Sequence, residues 1–225
     1  MTLFRLIAGV VITALVAAIL YDIRRGRRTW SGVWGFVKGQ TGTALHLWRQ
    51  RAQLARGGTL DNLRRMTYGL SAAFLLLLGL TGFLPVLFLG EHLSGALLII
   101  HVTVAPLFAL CLTALAFLWA HRLRFDEDDW HIVLDPMHRK RSTKERRIRL
   151  ALKVGFWLVL VFSLPLMGSI ILGLFPLFGT EGETALARVH GYSALLIMGA
   201  SIVVMHLTIA YLQHTSEQSS KEIRK

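Results

Sequence analysis

The chain has 225 residues, 54% of them hydrophobic, and a mean hydropathy of +0.54. Its apolar residues come in runs of about 20, the length a helix needs to cross a bilayer, so the composition excludes a soluble globular domain. The net charge of +12 does not indicate nucleic-acid binding, because the basic residues are sorted by loop rather than gathered into a patch. The single cysteine excludes a disulfide framework and a thiolate metal cluster.

Five segments are apolar and long enough to span a membrane, which predicts an all-α integral membrane protein whose last four helices form a bundle. The predicted spans are about 3–21, 66–88, 95–120, 150–174 and 187–212. The predicted domains are a transmembrane anchor at 1–21, a basic cytoplasmic or interfacial segment at 22–65, the four-helix bundle at 66–213 and a polar cytoplasmic tail at 214–225.

The first span has a cleaved signal peptide as its alternative reading. Only Arg5 precedes its apolar run, whereas four arginines follow it between 24 and 28, and no small-residue cleavage site ends it. This pattern favours a retained anchor. In the segment that follows, Trp30, Val33, Trp34 and Val37 recur at helical spacing, which predicts a helix lying in the headgroup layer.

The charges of the connections predict the orientation. Residues 22–65 carry ten Lys and Arg, residues 121–149 carry nine more, and the connections around Glu91 and Glu181 are short and acidic. Because basic loops stay on the cytoplasmic side, we expect a periplasmic amino terminus and a cytoplasmic carboxyl terminus in a bacterial inner membrane.

Two histidines fall at matching depths in the predicted bundle. His101 lies about seven residues, and His190 about four, from the outer ends of their spans, so both are roughly 6 to 10 Å into the hydrocarbon. Ionisable residues at such depth usually face the bundle interior and mark a function. The pair predicts two axial ligands of a b-type haem iron; histidines that hydrogen-bond to neighbouring helices are the alternative.

Other residues are candidates for the same chemistry. Arg188 is a candidate partner of a haem propionate or an interfacial residue, and Gly69 and Gly79 allow a helix or a flat macrocycle to approach. His206 lies at a depth suited to a second, inner haem. On an ideal helix, the 16 residues between His190 and His206 place their side chains roughly 160° apart around the helix axis. His121 is a doubtful second ligand for a haem at His206.

A family resemblance rests on the motifs of residues 61–215. Four stretches of the chain are similar to motifs of one cytochrome family. They are Arg65 to Gly69 followed by Thr81 and Gly82, His101 in IIHVTVAPLFAL, His190 in RVHGYSALL and His206 in VMHLTIAYL. The family comprises the cytochrome b subunits of membrane formate dehydrogenases and nickel-iron hydrogenases, bacterial b561-like four-helix di-haem proteins. The first helix of that family opens with Arg-x-x-His-Trp, and here Tyr68 stands at the histidine position.

The resemblance implies that His101 and His190 hold an outer haem b. For the inner side it leaves three outcomes: one haem only, a second haem held by His206 with His121 or Tyr68, or His206 kept for a quinone. The implied role is a membrane-anchor subunit that passes electrons between an iron-sulfur or cytochrome c partner and the quinone pool, beside a separate catalytic subunit. A haem-poor subunit that only anchors or assembles a larger complex is the alternative, because the opening histidine is absent.

Overall fold

The computed structural model describes residues 2–25, 59–90, 93–135, 137, 142–175 and 177–222. Within these ranges the regular structure is entirely helical. The helices are α1 (Thr2–Arg25), α2 (Thr59–Leu84), α3 (Gly95–Trp119), α4 (Glu127–Leu134), α5 (Lys144–Gly173) and α6 (Gly179–Glu222), and a π-helical turn, Pro85–Leu89, continues α2. The predicted headgroup helix around Trp30 lies outside the described residues.

Five of these helices are long and apolar enough to cross a membrane, which confirms the predicted number of spans. Two helices extend further than their apolar runs. α2 begins at Thr59 because polar residues such as Asp61, which favours the positive helix N-terminus, continue the helix beyond the hydrocarbon. α6 begins at Gly179 and its backbone stays helical to Glu222, through much of the predicted tail. Apolar runs therefore locate the spans but not the helix ends.

The four helices of the bundle form two hairpins. α2 packs along α3 and α5 packs along α6, whereas contacts between the two hairpins are sparse. The end of α2 and the start of α3, like the end of α5 and the start of α6, define what we call the short-loop end of the bundle. The start of α2 and the end of α3 lie at the opposite, basic end. The sparse contact leaves the interface between the hairpins as the place where side chains of both could hold a common ligand.

Polar contacts fasten the basic end. Arg64 on α2 donates from Nε to the carbonyl of Leu118 at 3.0 Å and from Nη1 to Asp61 at 2.9 Å, and Arg122 reaches the same carboxylate at 3.3 Å. These contacts tie the start of α2 to the end of α3. Two buried side-chain groups in the described residues, Ser71 Oγ and Trp119 Nε1, have no hydrogen-bond partner.

The short helix α4 docks against α5 through an ion cluster. Asp126 caps α4 by accepting from the backbone N–H of Asp129, and Asp129 accepts in return from the backbone N–H of Asp126. Lys153 of α5 lies 3.1 Å from Asp126 and also contacts the buried carboxylate of Asp129. Ile132 is 2% exposed on the same side. A capping box and a partly buried cation therefore hold α4 to the bundle.

The first helix is part of the bundle, because it packs along α6. Glycines of α6 allow this: a Cβ at Gly191 would lie 3.3 Å from the ring of Phe4, and one at Gly199 would lie 3.3 Å from Leu15. Phe4 also stacks on Phe83 of α2, with centroids 6.5 Å apart, and meets Tyr192 edge-on at 5.3 Å. α1 thus covers the bundle beside residues 82–83 and 190–192.

Candidate functional site: a histidine pair between the hairpins

The imidazole rings of His101 and His190 face each other between the two hairpins. Their centroids are 6.4 Å apart and their planes are inclined by 71°. His101 comes from α3 of the first hairpin, His190 comes from α6 of the second, and both side chains are half-buried. This adjacency is what their matched depth predicts, whereas the binding of a metal by the pair stays a prediction.

Thr81 of α2 orients the ring of His101. Its Oγ1 lies 2.9 Å from Nδ1 of His101 and 2.9 Å from the carbonyl oxygen of Leu77, one turn back on α2. A carbonyl only accepts, so the single hydroxyl proton is directed to Leu77 and the hydroxyl oxygen accepts from the Nδ1–H of His101. Thr81 is 5% exposed, and this contact therefore fixes a tautomer inside the bundle.

A main-chain carbonyl orients the ring of His190. Nδ1 of His190 lies 3.3 Å from the carbonyl oxygen of Leu166 on α5, directly after Pro165. Because this oxygen cannot donate, Nδ1 of His190 carries the proton. Ser169 donates to the same oxygen at 2.8 Å. Each histidine is therefore oriented by the other helix of its own hairpin.

These contacts determine which ring nitrogen of each histidine carries a lone pair. In a neutral imidazole with a proton on Nδ1, Nε2 is unprotonated and carries a lone pair. The contacts of Thr81 and Leu166 therefore engage Nδ1 of each ring and leave Nε2 as the nitrogen with the lone pair. Histidines that bind metals generally donate their second ring N–H to a carbonyl or a similar acceptor, as both do here.

The spacing of the pair fits two ligands on opposite sides of one metal. An imidazole nitrogen binds a transition metal at about 2 Å and lies about 1 Å from its ring centroid, so two such rings have centroids roughly 6 Å apart. The observed separation is 6.4 Å. Among the described residues no group of three or more His, Cys, Asp or Glu could hold a metal ion. A metal bound by this pair would have two ligands from these residues, and its remaining ligands would have to come with it.

Gly82 gives the ring of His101 its place against α2. A Cβ at this position would lie 3.2 Å from Cε1 of His101, closer than an ordinary van der Waals contact. The sequence marks Thr81 and Gly82 only as part of a motif of the resemblance. Their contacts with His101 depend on the packing of α2 against α3. The Leu166 carbonyl carries no sequence signal, because every residue has one.

The other predicted site residues lie apart from the pair. Arg188 is exposed and lines a cavity of about 470 Å³ with Thr180, Glu181 and Thr184. Two residues along a helix amount to about 200°, so Arg188 projects on the other side of α6 from His190, and its contact with a propionate stays a prediction. Gly79 faces Met198 across the two hairpins, whereas a Cβ at Gly69 would contact nothing. Of these two predicted glycines, Gly79 marks a close helix approach and Gly69 does not.

The three candidates for an inner site lie toward the basic end. His206 is half-buried on α6, about 24 Å along the helix from His190. His121 is exposed in the turn after α3, and Tyr68 on α2 is 44% exposed. Ligand roles for these residues remain predictions.

Comparisons with protein-family models, with curated proteins and with solved structures find no match for this chain.

Proposed function

We propose that this protein is a membrane-anchoring cytochrome b subunit of a multi-subunit oxidoreductase, with one haem b held between its two hairpins. The observation that carries the proposal is the facing pair of imidazoles, 6.4 Å apart, each with its Nδ1 occupied within its own hairpin. His101 and His190 would hold the haem iron through their imidazoles, and the porphyrin would bring the ligands that the protein does not supply.

The ligand set determines the kind of chemistry. Two histidine ligands, His101 and His190, would hold the haem in a form suited to one-electron transfer rather than to oxygen chemistry. When bound, the haem supplies that redox step. The chain's own residues orient the imidazoles through Thr81 and Leu166, and the pair lies half-buried between the hairpins. Electrons would pass between an iron-sulfur or cytochrome c subunit and the quinone pool, with a separate catalytic subunit in the complex.

A single haem is the form of the proposal that the side chains favour. The position that a histidine would need at the inner site is Tyr68, which is exposed, and His121 is exposed in a turn. We propose that the basic end, near His206, serves quinone rather than a second haem. The basic connections support a bacterial inner-membrane location, with the amino terminus in the periplasm and the carboxyl terminus in the cytoplasm.

Haem quantification and ligand variants test the proposal. Pyridine haemochrome analysis of the purified complex should give one haem b per chain, and low-spin ferric spectra should indicate two histidine ligands. His101→Ala and His190→Ala should each lose haem or become high-spin. His131→Ala, which removes an exposed histidine from α4, serves as the control and should resemble the wild type. Unchanged spectra in both ligand variants would exclude the haem site.

The competing function is a haem-poor structural or assembly subunit. The observation that favours it is Tyr68 at the position of the family's opening histidine, because loss of one ligand is a step toward loss of haem. A purified complex that contains this chain in stoichiometric amount, but has no Soret band assignable to it, would support that function over electron transfer.

A further inference from the structure

A long apolar groove lies outside the histidine site, between α1 and the hairpin of α5 and α6. Its volume is about 800 Å³, within the usual range for ligand pockets, and α4 contributes Ile132 and Val133 at one end. On α5 it extends from Arg147 to Phe162, about 22 Å along the helix axis. That length exceeds one leaflet of a hydrocarbon core about 30 Å thick. The groove is therefore long enough for an extended acyl chain.

One cation stands at the basic end of this groove. Among the described residues that line it, Arg147 is the only charged one, and its side chain is exposed. The neighbouring cations of α5 are neutralised: Arg146 by Asp128 at 3.1 Å, Arg149 by Glu145 at 3.5 Å, and Lys153 by Asp126 and Asp129. Of the α5 cations whose side chains the structure describes, Arg147 alone has no carboxylate partner. The groove thus combines an apolar channel with one uncompensated positive charge.

From this arrangement we propose that the groove binds an anionic glycerophospholipid, with its phosphate at Arg147 and an acyl chain between α1 and the hairpin of α5 and α6. Basic pockets between membrane helices are known sites for anionic headgroups. The charge position also matches the membrane boundary, because Arg147 lies in the first turn of α5 and the apolar residues follow it into the hydrocarbon. The lipid would act as packing material between α1 and the bundle. This inference does not depend on the bound haem.

Native mass spectrometry of the full chain, purified and delipidated, tests the site with phosphatidylglycerol and phosphatidylcholine of identical acyl chains. We expect the wild type to retain phosphatidylglycerol in preference to phosphatidylcholine. Arg147→Gln should weaken phosphatidylglycerol binding about fivefold, the effect of one cation near a membrane surface, and leave phosphatidylcholine unaffected. Arg149→Gln, a charge-matched change two residues away, should leave the preference intact.

Chain length tests the apolar part of the site without a further variant. Dihexanoyl phosphatidylglycerol has the same headgroup but cannot fill the groove, so it should bind at least roughly tenfold more weakly than the long-chain lipid. Equal losses in Arg147→Gln and Arg149→Gln would show general surface attraction and overturn the proposal. Equal binding of the short-chain and long-chain lipids would overturn it as well.

Discussion

Thr81 and His101 are joined across the first hairpin by a hydrogen bond of 2.9 Å between the hydroxyl oxygen and Nδ1. Twenty residues separate them in the chain, and the contact exists because α2 packs along α3. With the hydroxyl as acceptor, Nε2 is the nitrogen of His101 that is left with a lone pair. The behaviour of the site should therefore depend on a residue that is not itself a ligand.

Replacement of Thr81 by Val should weaken haem retention. The valine keeps the shape of the side chain but removes the acceptor of the Nδ1–H, and loss of such a contact typically costs 10–100-fold in metal affinity. Haem release to apomyoglobin and the midpoint potential of the purified protein measure the effect. Thr81→Ser should restore both values, and Thr113→Val, which removes an exposed hydroxyl on α3 that bonds only to Ala109, is the control. Wild-type haem release in Thr81→Val would contradict the assigned role.

Gly82→Ala should displace the ring of His101. The added Cβ would lie 3.2 Å from Cε1, so the ring must move by a few tenths of an ångström. We expect a change in the electron paramagnetic resonance signal of the ferric haem, which reports the relative orientation of two axial imidazoles. Gly69→Ala on the same helix adds a Cβ that contacts nothing and should leave the signal unchanged. Identical spectra for the two variants would argue against the close approach at Gly82.

Lys153→Met should release α4 from the bundle. Asp129 is only 5% exposed in its side chain, and removal of its cation leaves a buried charge uncompensated, at a cost of about 3–5 kcal/mol. Hydrogen exchange of residues 127–134 measures this locally. Arg149→Met breaks only the exposed pair with Glu145, which is worth at most about 1 kcal/mol, and should leave exchange in α4 nearly unchanged. Similar exchange rates in the two variants would show that the Lys153 cluster does not hold α4.

Acid should also loosen α4. The backbone N–H of Asp129, and then Lys153, hold the pKa of Asp126 below its usual range. A lowered pKa in the folded protein stabilises the fold above the ordinary value of about 4, and the contribution is lost as the pH falls through the folded value. The protection of the α4 amides against hydrogen exchange, relative to an unfolded chain at the same pH, should therefore fall below about pH 4.

A substitution at the cap separates charge from capping. Asn caps helices as well as Asp does, so Asp126→Asn should keep α4 helical while removing this part of the pH dependence. Asp135→Asn at the other end of α4 is the matched control and should retain the wild-type acid response. An unchanged pH profile in Asp126→Asn would assign the acid sensitivity to another group.

The spans and the adjacency of the histidines were accessible from the sequence because both follow from length along a helix. The length of each apolar run can be compared with the thickness of a bilayer, and the depths of His101 and His190 follow from their distances to the ends of their spans. The polar start of α2 and the long α6 were not accessible, since the helix there continues beyond the apolar residues that reveal it.

The surroundings of the histidines required the packing of the hairpins. Thr81 in isolation is an ordinary membrane threonine bonded to its own helix, and only the pairing of α2 with α3 brings it to His101. The groove at Arg147 depends on the position of α1 against α6, for which the sequence offers only scattered glycines.

The two imidazoles differ in how they can be altered. His101 is hydrogen-bonded to a side chain, so a substitution at Thr81 can strengthen, weaken or abolish that hydrogen bond. His190 is hydrogen-bonded to the backbone carbonyl oxygen of Leu166, which is present whatever residue occupies position 166. Substitution at position 81 can thus alter the support of one imidazole while that of the other persists, and position 81 is the natural place to tune the haem that we propose.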